Sequence, residues 1–204
     1  MWVVPCLNPY DYGDNDCVTC QAVVDELVRK PLYEIQEAAG GDGVPADSGF
    51  YAWWAALEAL PGVPVTSHPS EPYGLLYVGI APRDATSGAT LRSRLSRQHI
   101  GGNVASSTFR FGLAALLWRR QRWTPRRSAS GKYSLDARDN EALGQWQRDH
   151  LRLRWAVAET PWLLESDVVQ LLSPPMNREH NKDHGFYSKM GDAREAFRAA
   201  AVPL

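Results

Sequence analysis

Two aromatic and aliphatic runs constrain this chain more than any other feature: Gly49 to Leu57, GFYAWWAAL, and Tyr73 to Ala81, YGLLYVGIA. Each is short, bounded by turn residues, and rich in the aromatic and branched side chains that suit a strand. The stretch between them, Glu58 to Pro72, is rich in Pro, Gly, Ser and Thr. It is too long for a tight hairpin but long enough to close an antiparallel pair. Pairing the runs would bring Tyr51 and Tyr77 together on one small sheet. A phenol pair there is either core filling or a proton-handling site, and the rest of the chain has to decide which.

The 204 residues fit one domain, or one domain with an extension, and 44% hydrophobic residues with eight Trp can fill a substantial core. No run of 18 apolar residues occurs, so no membrane span is expected. The start, MWVVPCLNPYDYGD, lacks the basic-then-apolar pattern of a secretory signal, which makes the cytoplasm the default location. Three cysteines are present, Cys6, Cys17 and Cys20, the last two in C-x-x-C spacing. A zinc site needs four ligands. No second pair follows, and the nearest downstream His is the remote His68. Plain thiols are the simpler expectation.

Charge is informative in its distribution. Residues 1–82 carry two basic and eleven acidic side chains, net −9, and residues 83–204 carry 20 basic and 12 acidic, net +8. The densest stretch, 83–127, has ten Arg against one Asp. Arg suits planar, bidentate phosphate contact. An Arg-rich solvated helix face gives the same pattern, so charge alone leaves both readings open.

Apolar spacing predicts a helix from Cys17 to Ala39, kinked or split at Pro31. Gly40 to Pro45, GGDGVP, is a break and a candidate boundary. It separates an acidic, partly helical N-terminal extension, 1–47, from a core domain, 48–204. After the two strands, a helix is expected over about Thr90 to His99 and another over STFRFGLAALLWRR, capped by Ser106 or Ser107. Residues 123–137 read as a loop. Asp139 or Asn140 can cap a helix running to about His150. The alternation in LRLRWAVA, Leu151 to Ala158, predicts a third strand. Thr160-Pro161 is a helix start for PWLLESDVVQLL, which Pro174-Pro175 ends, and a last helix spans about Ala193 to Ala201. The expected fold is α+β: a small three-stranded antiparallel sheet flanked by helices.

Several polar residues sit where chemistry could use them, each with an ordinary alternative. Glu165 follows Trp162-Leu163-Leu164; a carboxylate in apolar surroundings must be paired, hydrogen-bonded or metal-bound, or else faces solvent on an amphipathic helix. Asn177, after Pro174-Pro175-Met176, can bond backbone in the turn. Arg94 flanks a Leu91/Leu95 stripe and can lie at the sheet edge or in solvent. His99 ends the same helix and is structural, exposed or catalytic. Arg92, Arg97 and Arg110 have weaker claims. No P-loop, H-E-x-x-H, G-x-S-x-G or dinucleotide Gly fingerprint is present, which removes several enzyme classes.

Taken in order, the set resembles the GIY-YIG nuclease superfamily. Gly49-Phe50-Tyr51 is similar to the first signature with Phe for the middle Ile, and Tyr77-Val78-Gly79 to the second with Val for Ile. Leu91-Arg92-Ser93-Arg94-Leu95 resembles the helix with the catalytic Arg. Glu165 matches the metal-binding Glu, and Asn177, twelve residues on, the Asn of the following turn. The resemblance spans about 48 to 181. It departs from compact members in the 26-residue gap between the tyrosines, a widening also found in some restriction enzymes of the superfamily. The Arg-rich helix and the loop at 119–138 are additions to the minimal fold, and residues 1–47 lie outside it.

The resemblance implies a divalent-metal-dependent endonuclease acting on DNA, with RNA an open alternative. Mg²⁺ or Mn²⁺ on Glu165 would stabilise the leaving oxygen. Arg94 would hold the scissile phosphate, Tyr51 would take the proton of the attacking water, Tyr77 would orient water or phosphate, and His99 would assist. Arg92, Arg97, Arg110, Arg119 and Arg120 are the expected nucleic-acid contacts. A double-strand cutter with one site per chain would act as a homodimer. Two other classes fit: a silent nucleic-acid-binding module of the same fold, and an interaction protein whose acidic first 47 residues dock a partner or mask the basic face.

Overall fold

The computed structural model describes residues 14–40 and 43–204. Its centre is an antiparallel sheet in the order β1-β7-β2-β4-β3, formed by Tyr33–Glu34 (β1), Gly49–Ala56 (β2), Thr66–Ser67 (β3), Tyr73–Ala81 (β4) and Leu151–Val157 (β7). The three long strands are the expected ones. The sheet nevertheless has five strands, not three. The added edges, β1 on β7 and β3 on β4, are two residues each. Two residues carry no periodic pattern, so only their hydrogen-bonded neighbours reveal them.

Both faces of the sheet are covered, which is why β2 reads as an unbroken apolar run rather than an alternating one. One face packs Phe50, Ala52 and Trp54 against Val23, Val24, Leu27 and Val28 of α1 (Asp14–Arg29) and Leu164, Val168 and Val169 of α5 (Pro161–Leu172). The other packs Tyr51, Trp53 and Ala55 against four helical elements. These are α2 (Ile35–Ala39), a π-helix (Ser93–Ile100), α3 (Thr108–Gln121) and α4 (Ala137–His150). Helix α6 (Tyr187–Ala199) closes this side through α3, with Phe197 edge-on to Phe111 at 5.5 Å.

Boundaries shifted where local chemistry competes. Helix α1 stops at Arg29, and the segment after Pro31 turns into β1 before α2 starts under a Glu34/Glu37 capping box. Asp136, not Asp139 or Asn140, caps α4; its Oδ1 accepts from the Asp139 N–H at 2.9 Å. Helix α6 begins at Tyr187, before the expected Ala193. The expected loop at 123–137 contains a hairpin of β5 (Pro125–Arg127) and β6 (Tyr133–Leu135), with β8 (Val202–Pro203) pairing parallel to β5.

Two acidic residues of the N-terminal region are engaged with the central sheet. Glu26 accepts from Arg154 Nη2 at 2.6 Å, and Glu34 from Arg152 Nη2 at 3.2 Å. Among the described residues no helix is long and apolar enough to cross a membrane.

Candidate active site

The register of β2 and β4 sets the two tyrosines. Tyr51 lies opposite Gly79, and a Cβ at Gly79 would collide with the Tyr51 hydroxyl. Gly79 is therefore the space that the phenol occupies. A bulge follows: Trp53 pairs with Tyr77 but Trp54 pairs with Leu75, leaving Leu76 as the extra residue on β4. The bulge puts both Leu76 and Tyr77 on the face that holds Tyr51. The Tyr51 and Tyr77 ring centroids are 6.4 Å apart.

Tyr51 is buried, and burial pushes its hydroxyl up to about 12, with Arg94 pulling it down and Glu165 pushing it up. Tyr77 is raised further, by burial and then by Tyr51 and Glu165. Both phenols are protonated at neutral pH. Arg94, Glu165 and the two phenols thus share one electrostatic neighbourhood.

The π-helix explains how Arg94 joins His99. In an α-helix a separation of five residues leaves side chains about 140° apart. The wider turn of a π-helix reduces that angle, and Arg94 acts on the charge state of His99. Arg94 Nη1 donates to Gln98 Oε1 at 2.6 Å, and its buried Nε has no partner. No carboxylate neutralises it among the described residues.

His99 is buried between two hydroxyls: Nε2 is 2.8 Å from Tyr51 Oη and Nδ1 is 2.7 Å from Ser107 Oγ. Burial, then Arg94 and Arg110, lower its pKa to about 3, so the ring is neutral and donates at one nitrogen while accepting at the other. Ser107 also caps α3, accepting the Arg110 N–H at 3.1 Å. The sequence marked Ser107 as a cap; its contact with His99 arises only in the fold.

This neutral histidine gives stability a pH signature. Its folded pKa lies below the usual 6.5, so its contribution is complete above pH 6.5 and is lost as pH falls towards 3. Over that window the unfolded chain takes the proton first. Urea unfolding from pH 7 to pH 4 should show a loss of up to about 1.4 kcal/mol per pH unit from this group. His99→Gln should flatten that slope; equal slopes in the two proteins would remove His99 as its source.

Glu165 is half-buried on α5 and makes no protein hydrogen bond or ion pair among the described residues. Burial raises its pKa, Glu179 adds to this, and His180 and Arg94 oppose it. Asn177 is used differently from the sequence expectation of a bond within its own turn. Its side chain accepts from Val78 N at 2.9 Å and donates to Val78 O at 2.8 Å. It clamps the exit of α5 to β4, one residue from Tyr77.

The arginines separate sharply. Arg97 is exposed on the π-helix and Arg92 at its N-terminal cap, with Arg92 Nε donating to Val44 O at 2.8 Å. Arg119 and Arg120 are exposed at the far end of α3, about 18 Å along the helix from its start. Arg110 departs from its expected phosphate-contact role. It is 1% exposed, and its guanidinium donates to the carbonyls of His99, Ile100 and Asn140 and to the side chains of Asn140 and Gln147. Both its Nη groups are taken inside the protein, and its buried Nε has no partner.

No cluster of three or more His, Cys, Asp or Glu able to hold a metal occurs among the described residues. Cys20 is buried under the sheet, and burial pushes its thiol up to about 11, the opposite of what a thiolate ligand needs. Cys6 and the side chain of Cys17 lie outside the described residues. A lone carboxylate free of protein partners, as at Glu165, suits Mg²⁺, which keeps several waters and takes further oxygens from substrate phosphate.

A family model described as the GIY-YIG catalytic domain matches residues 49–196. No curated protein and no solved structure matches the chain.

Proposed function

The chain belongs to the GIY-YIG catalytic-domain family, and from that premise we propose that it is a divalent-metal-dependent endonuclease that hydrolyses DNA phosphodiester bonds. Family membership carries the coarse statement, nuclease chemistry on nucleic acid. The finer reading rests on one observation: the Tyr51 hydroxyl is 2.8 Å from His99 Nε2 and its ring 6.4 Å from that of Tyr77, and the same two phenols feel the charges of Arg94 and Glu165.

Glu165 would hold a Mg²⁺ or Mn²⁺, which would supply Lewis-acid stabilisation of the leaving oxygen. The remaining roles fall to the side chains. Arg94 takes a phosphate oxygen pair through its un-neutralised guanidinium. Tyr51 takes the proton of the attacking water as the phenolate that Arg94 and a cation on Glu165 would favour, and the neutral ring of His99 orients its oxygen through Nε2 while Nδ1 bonds Ser107 Oγ. Before such a cation binds, burial pushes that hydroxyl up to about 12, so cleavage should quicken as pH rises. Tyr77 orients water or phosphate, and Asn177 holds β4 in place. Arg92 and Arg97 contact the backbone beside the cut, and Arg119 and Arg120 reach flanking nucleic acid. One site per chain makes a nick the elementary product; a double-strand break requires a second copy.

Purified protein is expected to nick or cut DNA with Mg²⁺ or Mn²⁺ and to stop with chelator. Tyr51→Phe should lower the rate about 10²–10⁴-fold, the range of positioned acid–base catalysis. The same assay on RNA fixes the substrate class. Equal background products from wild type and Tyr51→Phe would defeat the proposal.

A further inference from the structure

A second feature adjoins the Tyr51–His99 pair. A pocket of about 360 Å³ is lined by Ser107 and Thr108 at the start of α3 and by Lys132, Arg194 and Arg198. We propose that this pocket is a phosphate subsite, seating a non-scissile backbone phosphate of the nucleic-acid strand whose neighbouring phosphate is cut. The inference rests on the nuclease reading and adds a binding site to it.

Three observations carry it. First, Arg194 is 9% exposed and has no hydrogen-bonding or ion-pair partner among the described residues; its buried Nε is likewise unpartnered. A buried cation without an anion is costly, and a phosphate entering the pocket relieves that cost. Burial and the neighbouring Arg178 and Arg198 already depress its pKa, as an unneutralised cluster requires.

Second, the cations are positioned by aromatic faces and not by carboxylates. Arg194 and Arg198 lie 5.7 and 5.1 Å from the Phe111 ring centre, and Arg198 lies 5.9 Å from that of Tyr133. Rings hold guanidinium groups in place without cancelling their charge. No Asp or Glu lines the pocket.

Third, the pocket is at the N-terminus of a 14-residue helix. Ser107 Oγ takes the Arg110 N–H, leaving those of Thr108 and Phe109 as first-turn donors. Ser107 also ties the pocket to the site: its Oγ is 2.7 Å from His99 Nδ1, and His99 Nε2 is 2.8 Å from Tyr51 Oη. A strand seated at the tyrosines therefore passes this pocket within one or two nucleotides.

The test is duplex DNA binding without divalent metal, measured across a salt series. Arg198→Gln and Lys132→Gln alter exposed side chains and leave the fold intact. Each should weaken binding and reduce the slope of log K against log salt by about one. Arg194→Gln should weaken binding as well, yet leave the melting temperature equal or higher, because an unpaired buried charge is removed. Methylphosphonate placed at single positions beside the cut should weaken the wild type at one position and leave Arg198→Gln unaffected there.

Unchanged affinity and slope in Arg198→Gln and Lys132→Gln, with wild type still cutting, would overturn the subsite and leave the nuclease reading intact. Dependence on a 5′-terminal phosphate, and not on an internal one, would overturn the backbone assignment. If wild type neither binds nor cuts DNA or RNA, the parent reading falls and the subsite with it.

Discussion

Glu165→Ala is expected to abolish metal-dependent cleavage while leaving the protein folded. Glu165 is the one proposed metal-binding carboxylate, so no other ligand is assigned to compensate. Removing several kcal/mol of charge stabilisation at the leaving oxygen, at about 1.4 kcal/mol per factor of ten, corresponds to a loss of a thousandfold or more. Stability should not suffer. Glu165 makes no protein hydrogen bond or ion pair among the described residues, and its folded pKa is raised. A raised carboxyl disfavours the folded state once it ionises, so its removal should leave the pH 7 melting temperature equal or higher. Glu165→Gln, of nearly the same shape, should be equally inactive. The measurements are a cleavage time course with Mg²⁺ or Mn²⁺ and a thermal melt. A Glu165→Ala protein that cuts at the wild-type rate would end the assignment; one that fails to fold is distinguished by the melt and by the Gln variant.

Arg110→Ala should be among the most destabilising single changes, at about 3–5 kcal/mol. The Arg110 guanidinium donates to His99 O at 3.3 Å, Ile100 O at 3.2 Å and Asn140 O at 2.8 Å, and also to Gln147 Oε1. It joins the end of the π-helix to α4. Truncation strands these acceptors in the interior, at about 1–3 kcal/mol for each one left unpaired, and removes a buried side-chain volume. Arg110→Lys should rescue little, because a single ammonium cannot reproduce a planar fork aimed at several acceptors. Activity should fall with stability, since the same carbonyls fix the backbone of His99. Urea unfolding checks the magnitude. A change below about 1 kcal/mol would show that the network tolerates the loss and that water replaces the guanidinium.

These expectations differ in how visible they were in the chain. Glu165 could be singled out because a carboxylate beside Trp162-Leu163-Leu164 conflicts with its local surroundings, and the fold keeps that conflict. Arg110 could not. It stands in an Arg-rich stretch in which Arg92, Arg94 and Arg97 look equivalent by type and spacing, and nothing local separates a solvated Arg from a buried one. The partners that distinguish them lie 30 and 37 residues away, at Asn140 and Gln147. Arg194 was missed for the same reason: its isolation inside a pocket depends on Phe111, Arg198 and the start of α3.

The sequence by itself determined the α+β class, the pairing of Gly49–Ala56 with Tyr73–Ala81, the third long strand, and the ordered residues on which the family match falls. Each of these is written in local pattern: apolar runs of strand length, turn residues between them, and short motifs. Only the tertiary structure decided the two-residue edge strands and the bulge at Leu76. It also set the π-helix that carries Arg94 and His99, and the clamp between Asn177 and Val78 across 99 residues. The physical reason is the same in every case. Periodicity reports which face of an element avoids water, whereas a hydrogen bond, a bulge or a buried charge depends on which distant atoms arrive opposite it. The tyrosine pair lies on both sides of that division: its strands were legible, and its hydrogen bond to His99 was not.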